Sequence, residues 1–138
     1  MSASPTTSRR TARIPCGSGA PAEARRWATW LADAVDAETD EAIMGVVSEL
    51  VTNAVRHAGL PPGAPIEVWG EVHPDRVTLT VRDRGAGLPP IAPPSLPPPD
   101  ATGSRGLYLV ARLATRVLMD PPRGAVTCEF DRGAVRRA

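Results

Sequence analysis

Lysine is absent from this sequence of 138 residues: all 16 of its basic residues are arginine. The absence removes two broad chemistries. A Walker-type phosphate loop needs a lysine to reach the β- and γ-phosphates, and Schiff-base catalysis needs an amine nucleophile. Any phosphate-holding site here must use arginine, backbone N–H groups and a metal. Cysteine is scarce as well. Cys16 and Cys128 stand far apart, too few for a disulfide framework or a paired metal motif, and they read as reduced thiols of a cytoplasmic protein. No apolar run approaches the ~18 residues of a membrane span, and the N-terminus has no apolar core of the kind a secretion signal requires. Excess charge of either sign is also missing. A formal net charge of +1 gives no general attraction to nucleic acid or to acidic membranes. What is present, 42% hydrophobic and 22% charged residues, is the balance of a single globular domain with a real core.

Along the chain, residues 1–10 lack periodicity and read as a disordered lead-in, and residues 132–138 as a frayed tail. Between them, 11–131 reads as one folded unit. A short edge strand over Thr11–Cys16 is followed by a helix from Pro21, with Ala24, Trp27, Leu31 and Val35 as its apolar stripe. A second helix is capped by Thr39 and buries Ile43, Val47, Leu50, Val51, Ala54 and Ala58, ending at Gly59. Two strands, Ile66–Val72 and Arg76–Asp83, form a hairpin. A Gly- and Pro-rich stretch leads to a third helix over Ser104–Ala114, with Leu107, Val110, Ala111 and Ala114 inward. A second hairpin pairs Thr115–Met119 with Ala125–Phe130. This order predicts an α+β two-layer sandwich, with helices on one face of a mixed, mostly antiparallel sheet.

Three polar clusters interrupt the apolar frame. Glu49 and Asn53 are one helical turn apart, on a face expected to point away from the apolar stripe. Such a pair is either a solvated helix face or a working unit. In the second case the amide oxygen binds a hard cation such as Mg²⁺, and the carboxylate orients or deprotonates a hydroxyl. Asp83 shares the parity of Val77, Leu79 and Val81, so it points to the core side of its strand. A carboxylate there needs a donor; the exocyclic amino group of adenine is one, a turn that the aspartate caps is another. Gly85 and Gly87 follow it and allow close backbone approach to a flat ligand. Third, Gly103, Ser104, Arg105, Gly106 and Leu107 open a helix; this is either a loop with no ligand or a place where free N–H groups attract phosphate and Arg105 adds charge-assisted bonds.

In this order the clusters resemble the motifs of the histidine-kinase-like (GHKL) ATPases, and among them the short bacterial anti-sigma-factor serine kinases. The run Ser48-Glu49-Leu50-Val51-Thr52-Asn53-Ala54-Val55-Arg56-His57-Ala58 resembles their N box. Asp83-Arg84-Gly85-Ala86-Gly87 is similar to their Asp-x-Gly-x-Gly box, and Gly103–Val110 to their second glycine box. The similarity runs from about Thr11 to Phe130. It implies the histidine-kinase-like ATPase fold, with ATP and Mg²⁺ as cofactors. It also implies roles: Glu49 as general base, Asn53 as Mg²⁺ ligand and Asp83 as the adenine-recognising carboxylate. Gly85 and Gly87 would shape the adenine pocket, while Gly103, Ser104, Arg105, Gly106 and Leu107 would hold the phosphates.

Relatives often carry a threonine near the position of Ala125 that helps hold a water at adenine, and here Thr127 is the nearby hydroxyl. The implied partners are a STAS-domain anti-anti-sigma protein, a sigma factor and a second copy of the chain, with no direct nucleic acid and no membrane. The expected activity is a serine/threonine kinase. The alternatives are a non-catalytic, ATP-dependent switch that sequesters a partner, and an ATP-independent interaction domain. Residues Leu88–Asp100 hold seven prolines in thirteen positions, which makes them either a stiff ATP lid or a polyproline ligand.

Overall fold

The computed structural model of the chain describes residues 7–57, 59–83 and 104–132. Strand β1 (Ser8–Pro15) leads into helix α1 (Ala20–Ala28), a 3-10 turn (Thr29–Ala34) and the long helix α2 (Ala37–His57). The hairpin β2 (Pro65–Val72) and β3 (Arg76–Arg82) follows, then α3 (Ser104–Leu113). Last come β4 (Arg116–Asp120), a short 3-10 turn (Pro121–Arg123) and β5 (Ala125–Asp131). The five strands form one sheet in the order β1-β2-β3-β5-β4, and every pairing is antiparallel. The architecture is the expected α+β sandwich, with the core between the helices and one face of the sheet.

Alternation fixes that face. In β3, Val77, Leu79 and Val81 are fully buried; in β5, Val126, Cys128 and Phe130 occupy the matching positions. Burial pushes the Cys128 thiol up to about 12, so it remains a neutral apolar group. The opposite, helix-free face is laced with ion pairs, including Arg9–Glu71 at 3.5 Å, Arg13–Glu67 at 3.6 Å and Arg76–Glu129 at 3.7 Å. At such exposure these pairs contribute little to stability, but they keep the open face polar.

Three local expectations need correction. Ser8, Arg9 and Arg10, read as lead-in, belong to β1 and pair with Val72, Glu71 and Gly70; the Arg10 guanidinium also lies over Trp30, 4.8 Å from the ring centroid. Helix α1 does not run to Val35. Thr29 turns its hydroxyl onto the Arg26 carbonyl at 2.8 Å, a local bond that competes with continued helix, and the chain tightens into the 3-10 turn there. Finally, α2 is capped by Asp36 rather than Thr39: Asp36 Oδ1 accepts the Thr39 N–H at 2.8 Å, the geometry of an N-cap three residues upstream.

Helix α2 is the centre of the helical layer. It packs against α1, α3, β3 and β5, so it is buried over more of its circumference than a single stripe. Val46 joins the expected core residues at 0% exposure. Gly45 marks the α3 crossing, because a Cβ added there would lie 3.2 Å from Leu113 Cδ1.

Candidate functional site

The direction of each element decides whether the three clusters meet. The start of α2 (Glu38, Glu41, Ala42) and the end of α3 (Arg112, Leu113) line one groove with Phe130 and Asp131 of β5. Phe130 and Asp131 pair with Val77 and Arg76 at the start of β3. Helix α2 and strand β3 therefore set out from the same end of the molecule. Asn53 lies sixteen residues after Ala37, about 24 Å along the helix. Asp83 lies seven residues after Arg76, about 23 Å along the strand. Both residues therefore lie far along their elements from that shared end. Helix α3 crosses α2 where Leu113 meets Gly45, and the two helices pack on each other.

The Asn53 and Asp83 side chains are unusual for their types. Asp83 is 1% exposed and Asn53 3%, whereas Asp and Asn are mostly exposed residues. Burial of Asp83 follows from the strand parity read in the sequence. Burial of Asn53 corrects the expectation that its face points away from the apolar residues, and the reason is the packing of α2 on several sides. The Asn53 carboxamide nitrogen is buried without a hydrogen-bond partner among the described residues. A polar atom in that condition costs free energy unless something binds it. Glu49, one turn earlier, is half-buried. Its neighbour Ser48 accepts a 2.6 Å bond from Arg25 of α1.

Thr127 is not brought to this site. It alternates with Val126 and Cys128, so it faces the helix-free side of the sheet, where its hydroxyl meets that of Thr80 at 2.8 Å. Gly85, Gly87, Gly103 and the proline-rich segment lie outside the described residues. Ser104, Arg105, Gly106 and Leu107 form the first turn of α3. One neighbour of Asp83 escaped the sequence reading. The Asp83 N–H donates to the Gly124 carbonyl at 3.1 Å, and Gly124 adopts φ 65° at the end of the β4–β5 turn. Its signal was visible only as a glycine closing a Pro-Pro-Arg turn.

Among the described residues, no group of three or more His, Cys, Asp or Glu is placed to hold a metal by itself. A magnesium ion can instead share its shell between one side-chain oxygen and the phosphates it accompanies, and the buried Asn53 carboxamide carries an oxygen of that kind. No helix among the described residues is long and apolar enough to cross a membrane.

The chain belongs to the histidine kinase-like ATPase domain family, whose model matches residues 19–129. Family membership implies ATP binding. No curated protein matches the sequence. Among solved structures, the chain is similar to the RsbU and RsbW domains of Rv1364c from Mycobacterium tuberculosis, with 19% identity and a TM-score of 0.65. The match covers 91% of this chain and 32% of that one, so the chain spans about a third of that protein's length. At this identity the likeness establishes the shared fold.

Proposed function

We propose that the chain is an ATP-dependent serine/threonine kinase of the anti-sigma-factor type, acting on a hydroxyl of a STAS-type anti-anti-sigma partner. The observation that carries the reading is the buried Asn53 carboxamide, whose oxygen can ligate a cation and whose unpartnered nitrogen can donate to a phosphate oxygen, one turn from half-buried Glu49. Asp83, the other buried polar residue of the proposed site, is 1% exposed. The solved relative with an RsbW domain supports the same class.

In this reading Asp83 accepts a hydrogen bond from the exocyclic amino group of adenine, and the start of α3 with Arg105 holds the phosphates. Asn53 holds the Mg²⁺, which when bound neutralises phosphate charge. Glu49 orients the partner hydroxyl and takes its proton as the oxygen attacks the γ-phosphorus; the bond to the β-phosphate oxygen breaks and ADP departs.

Transfer of label from γ-labelled ATP to the STAS partner tests this directly. Glu49→Ala is expected to slow transfer by about 10²–10⁴-fold, with ATP affinity by calorimetry nearly unchanged. Transfer at the parent rate would remove Glu49 from its role. A parent protein that binds Mg·ATP and the partner yet transfers nothing would make the chain a nucleotide-dependent sequestering switch instead.

A further inference from the structure

We propose that Gly124, on the β4–β5 turn, is a positioning residue that sets nucleotide selectivity by holding Asp83 in place from behind. This rests on the reading that Asp83 accepts the adenine amino group. Two contacts carry the inference. The Gly124 carbonyl accepts the Asp83 N–H at 3.1 Å, which ties the aspartate's backbone to the turn just beyond the last β3–β5 pair, Arg82 with Ala125. In addition, a Cβ built on Gly124 would fall inside the contact distance of the Asp83 backbone oxygen and 3.6 Å from its Oδ1. Backbone cannot swing aside as the end of a flexible side chain can, so any side chain at 124 must push Asp83, the turn, or both.

The turn has little room to yield. Pro121 and Pro122 restrict its φ angles, and Gly124 N–H closes it onto the Pro121 carbonyl at 3.0 Å. Part of the displacement therefore falls on Asp83. A carboxylate that reads one amino group by direct hydrogen bonding loses that contact when moved by a fraction of an ångström to an ångström, because the bond weakens steeply with distance and angle.

Glycine at 124 has a second reason to exist, its left-handed φ of 65°, and the experiment must separate the two. Gly63 supplies the control: it too is left-handed, at φ 85°, but nothing among the described residues lies within 4 Å of its would-be Cβ. Gly63→Ala carries the backbone penalty alone. Gly124→Ala carries the penalty and the clash. Gly124→Asn keeps the clash while tolerating the left-handed conformation better, and it answers the question should the alanine variant fail to fold.

The readout is the ratio of affinities for ATP and for purine riboside triphosphate, which lacks the exocyclic amino group, measured by calorimetry with Mg²⁺ on folded protein. A loss of foldedness lowers both affinities together and leaves the ratio alone. Both Gly124 variants are expected to lower the ratio about tenfold, the scale of one hydrogen bond to a charged acceptor, while Gly63→Ala leaves it at the parent value. A parent-like ratio in a folded Gly124 variant, with the ratio collapsed in Asp83→Asn, would overturn the role of Gly124 and leave the adenine reading standing. An Asp83→Asn protein with an unchanged ratio would overturn both.

Discussion

The hydroxyls of Thr80 and Thr127 meet at 2.8 Å on the open face of the sheet, and strand parity dictates that they do so. Val126, Cys128 and Phe130 turn inward, so their neighbours must turn outward. A threonine two residues from Ala125 keeps Ala125's side of the sheet, and no rotamer brings it through to Asp83. Thr127→Val removes the hydroxyl at nearly constant shape. Its expected cost is about 1 kcal/mol or less, the net worth of one part-buried hydrogen bond, read as a small fall in the urea midpoint. ATP affinity is expected to stay within about twofold, a change below 0.5 kcal/mol. A loss of tenfold or more in the same calorimetric titration would return Thr127 to the nucleotide.

At the scale of the element, the start of α2 rests on Asp36. Its carboxylate takes the Thr39 N–H at 2.8 Å, and its carbonyl takes the Asp40 N–H at 2.9 Å. Asp36→Ala should destabilise the fold by about 1 kcal/mol in urea denaturation, and Thr39→Ala by clearly less; the reverse ranking would restore Thr39 as the cap. The sequence pointed to Thr39 because Thr, Asp and Glu in succession make the familiar start signal, yet Asp36 one position before Ala37 satisfies it better. The same split runs through the whole chain. Element type, order and strand parity were legible, since periods of 3.6 and 2 are written in the apolar residues, and parity alone foretold the burial of Asp83. What could not be read depended on partners distant in sequence. Ser8–Arg10 become strand because Val72, Glu71 and Gly70 lie beside them. Asn53 is buried because α1, α3 and the sheet all crowd α2, which α2's own pattern does not record. Gly124 matters to Asp83 only once β5 lies against β3.

Across the whole molecule, the proposed nucleotide joins three segments that only the folded state assembles: the far half of α2, the end of β3 and the start of α3. An unfolded chain offers no comparable site, so binding must add to stability by mass action. At Mg·ATP a hundredfold above its Kd the gain is about 2.7 kcal/mol, which for a domain of this size raises the thermal midpoint by about 5–10 °C. The rise should grow with the logarithm of nucleotide concentration. Chelating the metal should shrink it, because the polyphosphate then loses the cation that neutralises its charge, with no lysine in the chain to substitute. Asp83→Asn should shrink it too, through the base rather than the phosphates, so the two losses should combine nearly additively. A midpoint that does not move with millimolar Mg·ATP would mean that the three segments do not act as one site.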